Sequence, residues 1–200
     1  MNYLIYILIT LAITNSSKDE LIKKPLLHQE IEIIKKSQEK ENAYKDSIIR
    51  FIPIHEGIKY MSYSCSAGHT TIGAGHVITK KDRLTYPITA EQVDSLILAD
   101  VEKAEYYFEH NMPGRVKHRL KEHQKWAIVH LIFCKGIGNF NKSTLKKLIL
   151  AGKPINGEIV KWCYFHTPGG KLVRSEWSYN IRLVELRMYE TGKLNINKNF

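Results

Sequence analysis

Residues 56–76, which read EGIKYMSYSCSAGHTTIGAGH, decide the fold of this chain. The stretch is rich in Gly, Ser, Thr and Tyr, residues that form short strands and tight turns. It therefore predicts a small twisted antiparallel sheet between Gly57 and Val77.

The segment before this sheet predicts a short helix. Asp46 or Ser47 offers an N-cap for an apolar run, and Pro53 is expected to disturb the later turns. Glu56 ends the run and precedes Gly57, which places its carboxyl at a boundary between core and loop. Taken alone, a glutamate at a helix end is more often a surface group than a catalytic one.

The spacing of three side chains makes a catalytic role more plausible. Glu56 is followed after eight residues by Cys65, and Cys65 after five more by Thr71. Cleavage of a glycosidic bond needs a general acid for the leaving oxygen, held where desolvation raises its pKa. It also needs a group on the far face of the sugar that directs water or stabilises positive charge.

This pattern, running into Thr70-Thr71-Ile72-Gly73-Ala74-Gly75-His76, resembles the phage endolysin family of lysozymes. Their hallmark is Glu, eight residues, Asp or Cys, five residues, Thr, and a T-I-G-x-G-H segment. Phe133-Cys134-Lys135-Gly136 looks like the family's Phe-Asn-x-Gly helix end, and Ser143-Thr144-Leu145 resembles its S-T-L helix start. The resemblance spans residues 46–193.

The resemblance implies an inverting muramidase with Glu56 as the general acid. Cys65 falls where the family usually has Asp, and Thr71 would bind the attacking water or the sugar. Because a thiol is uncharged at neutral pH unless its pKa is lowered, the role of Cys65 stays open, and an inert buried cysteine is the alternative. For Thr71 the alternative is a residue selected for its β-propensity.

The same resemblance suggests further contacts in a sugar-binding cleft. Phe133 and Tyr63 would support sugar rings, although both side chains would serve equally well in a core. His76 is a candidate substrate-binding residue that would otherwise brace the turn. Arg182 is expected to pair with Glu56.

Downstream of the sheet the pattern is helical. Thr89-Ala90-Glu91-Gln92 forms a capping box, and His123–Cys134 is apolar on almost every side. Further helices are predicted over the ranges 143–151, 155–165 and 178–191, the first and last of them closed by Gly152 and Gly192. The fold class is therefore α+β and lysozyme-like, with a small antiparallel sheet lobe, a mostly helical lobe and a cleft between them.

The chain divides into three predicted parts. Residues 1–17 lack charged side chains, which is typical of an export signal or a membrane anchor; the protein is accordingly expected to be exported, with transient membrane association through this segment. Residues 18–45 form a charged helical spacer. Residues 46–200 form the catalytic domain, which is expected to be monomeric.

Net charge and sequence motifs limit the binding partners that we expect. The formal net charge of +10 favours polyanions, and the expected one is the peptidoglycan glycan strand of a cell wall. Nucleic acid is not expected, since no recognised binding pattern is present. The chain has no HExxH or CxxC sequence and its histidines are scattered, so neither a metal nor a cofactor is predicted. Cys134 and Cys163 could form a disulfide in an oxidising compartment.

Two other functions stay open. A lytic transglycosylase would cleave the same bond without an activated water, and Cys65 in place of a carboxylate mildly favours it. A non-catalytic homologue that only binds cell wall is the second.

Overall fold

The computed structural model describes residues 20–65, 68–167 and 170–194, with side chains from residue 29 onward except that of residue 166. The predicted signal or anchor, residues 1–17, lies outside this part. The chain divides into two compact units, residues 1–43 and 44–200, and the site described below lies wholly in the second. Within the described residues, no helix combines the length and apolar character that a membrane span requires.

The first helix, α1, runs without a break over Glu20–Glu56. The prediction of a helix that starts at Asp46 or Ser47 is therefore wrong. The preceding residues are mostly Lys, Glu, Gln and Ile with no glycine, so nothing forces a new start and the cap residue stays inside the helix. Pro53 lies three residues from the helix end, where the lost N–H bond interrupts only the last turn.

The predicted sheet is present. Strands β1 (Lys59–Ser64), β2 (Thr70–Gly73) and β3 (His76–Val77) form an antiparallel sheet in that order. A bulge interrupts the β1–β2 register between Lys59 and Tyr63. The sheet follows α1 directly, so the strands start beside Glu56.

The long helices begin and end where their caps predict. Thr89 and Gln92 form the reciprocal capping box of α2 (Ala90–Asn111), and Ser143 caps α6 (Thr144–Ala151). Helix α4 (Glu122–Lys135) contains the predicted apolar run and ends at Gly136. The short helices between them are α3 (Gly114–Arg119) and α5 (Ile137–Lys142).

The predicted helix over residues 155–165 is wrong in its second half. Helix α7 covers only Asn156–Ile159, and a 3-10 turn follows over Val160–Cys163. The chain then forms a two-stranded antiparallel hairpin of β4 (Tyr164–His166) and β5 (Leu172–Arg174). Helix α8 (Glu176–Thr191) closes the fold and ends at Gly192 in the left-handed conformation, as predicted.

Helix α4 lies at the centre of the second unit. It packs against α2 and α8, and its residues from Trp126 to Ile132 are all buried. This burial explains why the helix is apolar on nearly every side. One small sheet followed by a helical lobe around α4 confirms the predicted α+β class.

Candidate active site

A cleft of about 850 Å³ is lined by the sheet and by the helices α2, α4 and α8. Five of the six predicted site residues line it, although they come from separate elements. These residues are Glu56, Tyr63, Cys65, Thr71 and Phe133.

Glu56 is the last residue of α1, and two hydrogen bonds to backbone carbonyls fix the helix end. Gly57 adopts a φ of +71°, a conformation that favours glycine, and its N–H donates to the Pro53 carbonyl at 3.2 Å. The indole Nε1–H of Trp177 donates to the His55 carbonyl at 3.1 Å. Helix α8 thus supplies a hydrogen-bond donor to one carbonyl at the C-terminal end of α1. Because the two bonds involve His55 and Gly57, both chain neighbours of Glu56 are held in position.

The environment of Glu56 favours the protonated form of its carboxyl. Its side chain is 26% exposed, and burial raises the pKa of the carboxyl above its usual value. The charges of nearby Arg182 and Lys135, and that of His130 when it is protonated, lower the pKa without cancelling this rise. Desolvation of this kind is what a general acid requires.

The β1–β2 hairpin carries Cys65 and Thr71 into the same cleft. Tyr63 is paired with Thr71 across the strands. At the hairpin end the Cys65 N–H donates to the His69 carbonyl at 2.9 Å, and the Gly68 N–H donates to the Cys65 carbonyl at 2.9 Å. This closed turn holds the thiol-bearing residue near the threonine.

The Thr71 hydroxyl is held by the backbone of its own hairpin. The side chain is almost fully buried, and Oγ1 lies 3.1 Å from the His69 carbonyl and 3.3 Å from the Tyr63 carbonyl. Because a carbonyl can only accept, the hydroxyl proton is donated to the backbone. The oxygen lone pairs are therefore the part of Thr71 that can bind water or substrate.

Two aromatic residues line the cleft near these groups. Burial raises the pKa of the Tyr63 phenol, while a hydrogen bond with the Thr71 side chain opposes the rise. The Lys59 ammonium lies 4.1 Å from the Tyr63 ring centre. Phe133 is half-buried and stacks on His130 at 6.2 Å between ring centres.

His76 lies outside the residues that line the cleft. Its Nδ1 is 2.8 Å from Asp100 of α2, and its Nε2 is 3.4 Å from Asp82. These two carboxylates raise the pKa of the imidazole, although burial opposes them. The geometry matches the bracing alternative, in which His76 ties β3 to α2.

Arg182 does not form the expected pair with Glu56. It is buried, and its guanidinium donates instead to Glu185 at 2.8 Å. The same Glu185 oxygen lies 2.6 Å from Nδ1 of His130, so one buried carboxylate contacts both Arg182 and His130. Arg182 acts on Glu56 only through its charge.

Three side chains beside Glu56 come together that the sequence did not connect. His55, His130 and Cys134 place their possible ligand atoms within 4.8 Å of one another, and among the described residues this is the group that could hold a metal ion. All three cysteines are free thiols, so Cys134 is not joined to Cys163. His130 and Cys134 are one helical turn apart, but nothing local in the sequence indicates that His55 faces them.

The chain matches a known protein family. The family model described as phage lysozyme matches residues 53–175, more than half of the chain. The chain belongs to the phage lysozyme family. The match begins three residues before Glu56 and therefore contains the whole Glu56–Cys65–Thr71 spacing.

Individual relatives of this phage lysozyme agree with that assignment. The endolysin of Acyrthosiphon pisum secondary endosymbiont phage 1 is 30% identical over 110 residues, which cover 54% of this chain and 71% of that protein. The endolysin from Escherichia coli O157:H7 phage FAHEc1 superposes with a TM-score of 0.61 at 27% identity, over 76% of this chain and 93% of the other. The muramidase domain of SpmX from Asticcacaulis excentricus shares the fold at 21% identity and a TM-score of 0.59, over 72% and 95% of the two chains.

Proposed function

We propose that this phage lysozyme is a muramidase that hydrolyses the β-1,4 bond between N-acetylmuramic acid and N-acetylglucosamine in peptidoglycan. The observation that carries the proposal is a cleft lined by the desolvated Glu56 and by Cys65 and Thr71 of the β1–β2 hairpin. Membership of the phage lysozyme family supports peptidoglycan as the substrate.

Glu56 would act as the general acid. Its carboxyl proton passes to the glycosidic oxygen as the bond between that oxygen and the anomeric carbon breaks. The sugar gains oxocarbenium-like positive charge, and the Glu56 carboxylate left behind stabilises it.

Water would attack from the face opposite to the leaving group, which inverts the anomeric configuration. The Thr71 hydroxyl donates its proton to the backbone, so its lone pairs accept a hydrogen bond from the water and orient its oxygen towards carbon. Cys65 would serve as the base, and its thiolate form would take the proton that the attacking water releases. Tyr63 and Phe133 would contact the sugar rings.

The net charge of the protein indicates the surroundings in which the enzyme would act. A formal net charge of +10 attracts a wall that carries carboxylates and phosphates. We propose that the protein reaches the wall by export, with residues 1–17 as signal or anchor, and that it acts as a monomer without a cofactor.

The first prediction tests the acid. Glu56→Gln keeps the shape of the side chain but removes the transferable proton, so hydrolysis of purified cell wall should fall by about 100- to 10,000-fold. The measurement is turbidity loss together with released muropeptides. Glu190→Gln, an exposed position on α8, is the matched control and should keep full activity. Equal clearing by wild type and Glu56→Gln would remove Glu56 from the acid role.

Product masses test the second candidate function. A lytic transglycosylase closes an anhydro ring on the sugar and uses no water, so its products are lighter by one water than those of hydrolysis. Cys65 in place of a carboxylate favours this alternative. Mass spectrometry of the muropeptides distinguishes the two, and a uniformly anhydro product would contradict the assigned roles of Thr71 and Cys65.

A further inference from the structure

Two histidines and a cysteine form a buried cluster behind the acid. His55 precedes Glu56 on α1, while His130 and Cys134 stand four residues apart on α4 and so share one helix face. The Cys134 sulfur lies 3.9 Å from Nε2 of His130, and the possible ligand atoms of all three lie within 4.8 Å of one another.

The hydrogen bonds at the far side of each ring leave both Nε2 atoms available. His55 Nδ1 lies 2.8 Å from the Phe51 carbonyl, which can only accept, so Nδ1 carries the proton. His130 Nδ1 lies 2.6 Å from the Glu185 carboxylate. A neutral imidazole that donates from one nitrogen to a carbonyl or carboxylate presents a lone pair on the other, and metal-binding histidines are oriented in this way.

The His55 nitrogen that faces the cluster has no hydrogen-bond partner. The His55 side chain is fully buried, and Nε2 makes no hydrogen bond. Buried polar atoms are normally paired, and an unpaired one needs an explanation. A cation among the three side chains would satisfy it, and because Cys134 lines the cleft, an ion could enter from there.

We propose that His55, His130 and Cys134 bind a zinc ion next to Glu56. Zinc prefers imidazole and thiolate ligands in tetrahedral geometry, which sets neighbouring nitrogen and sulfur ligands roughly 3.6 Å apart. The His130–Cys134 distance is already close to that value, so a modest contraction around the ion completes the set. On binding, the Cys134 thiol releases its proton to solvent and becomes a thiolate ligand.

The Glu56 carboxylate is within reach of such an ion. Its Oε1 lies 3.6 Å from Nε2 of His55, so it can supply the fourth ligand. A carboxylate bound to zinc, or held beside its charge, stays ionised and has no proton to give. Bound zinc therefore suppresses cleavage. This inhibition rests on the proposed function, whereas the proposal of a zinc site does not depend on it.

The binding test needs no activity. Cobalt(II) replaces zinc in such sites and reports a thiolate ligand by a charge-transfer band, and a zinc indicator measures competition. Reduced wild-type protein should bind one equivalent of either ion, and its cobalt complex should show that band. Cys134→Ser and His55→Asn should each weaken zinc binding by at least about 10- to 100-fold. Cys163→Ala and the exposed His118→Ala serve as matched thiol and imidazole controls and should bind as wild type does.

Circular dichroism shows whether each variant is folded. If a variant is unfolded, the cobalt spectrum of the wild-type protein alone tests the proposed site. Cobalt bound without a thiolate band, no binding at one equivalent, or equal affinity in folded Cys134→Ser would each overturn the site. Zinc should also inhibit wall hydrolysis by wild type and do so at least about tenfold less potently in Cys134→Ser. If the wall assay shows no activity that depends on Glu56, the proposed function fails while the cobalt result still judges the site.

Discussion

Thr71 shows how much a single side chain contributes at this site. Its hydroxyl is held by two backbone carbonyls of the hairpin, so its oxygen lone pairs are left to accept a hydrogen bond in the cleft that Thr71 lines. Cys65, by contrast, is fixed through its backbone at the hairpin end. The two residues thus depend on the same turn for their positions.

Thr71→Val tests the hydroxyl without changing the size of the side chain. Loss of one hydrogen bond to the attacking water removes about 1–2 kcal/mol of transition-state stabilisation, which lowers kcat roughly 5- to 30-fold. The measurement is the rate of muropeptide release at saturating wall. Thr70→Val, on the exposed neighbouring position, is the control. A kcat equal to that of wild type would show that Thr71 has no part in orienting water.

Sequence spacing was sufficient for the residues that lie close along the chain. Glu56, Cys65 and Thr71 were expected together, and one helix end plus one hairpin places them in one cleft. The Arg182–Glu185 pair could also have been found, because residues three apart share a helix face. The contact between His130 and Glu185 joins positions 55 apart, and no local pattern encodes it.

Among the elements, the sheet and α2 are joined by His76. Its bond to Asp100 crosses from β3 to α2, and the pKa of His76 is raised in the folded protein. Protonation therefore favours folding. The stability that protonated His76 contributes is fully present below the pKa of about 6.5 that its imidazole has in the unfolded chain. It is lost as the pH rises through the higher pKa of the folded protein.

Asp100→Asn should remove most of this gain. We expect the variant to lose about 1 kcal/mol of unfolding free energy at pH 5, because the pair is partly exposed and screened, and almost nothing at pH 9. Urea unfolding at the two pH values gives the difference. Asp94→Asn on the exposed face of α2 should show no such pH dependence. A loss of the same size at both pH values would contradict the ion-pair explanation.

Helices α4 and α8 are joined by a buried carboxylate. Glu185→Ala leaves Arg182 charged, buried and without its partner, so we expect a loss of about 3–5 kcal/mol in unfolding free energy. Urea titration followed by circular dichroism measures it. Glu190→Ala, exposed on the same helix, should cost almost nothing. A double variant, Arg182→Met with Glu185→Leu, should recover much of the stability, and a failure to do so would count against charge burial as the cause.

Local signals predicted some elements well and others poorly. Capping boxes and closing glycines located α2, α6 and the end of α8, because a cap acts on its own helix. The interval 155–165 carries an apolar spacing that fits a helix or a strand, and short segments of this kind are decided by packing. There the helix covers only Asn156–Ile159, and after a 3-10 turn the chain enters the β4–β5 hairpin.

At the scale of the whole molecule, net charge should control how the enzyme finds its substrate. Raising the salt concentration from about 0.01 M to about 1 M shrinks the screening length from about 30 Å to about 3 Å. Hydrolysis of anionic wall at limiting substrate should then fall by about tenfold or more. Cleavage of a soluble uncharged oligosaccharide is the control and should hardly change. An equal fall for both substrates would point to an effect on folding or chemistry.

The bond from Trp177 to the carbonyl of His55 spans 122 positions of the chain. A nascent polypeptide that has emerged only as far as β5 already contains Glu56, Cys65 and Thr71, yet it lacks the indole that steadies the end of α1 and the helix that carries Arg182. We therefore expect competence for cleavage to arise only after α8 has been synthesised and docked.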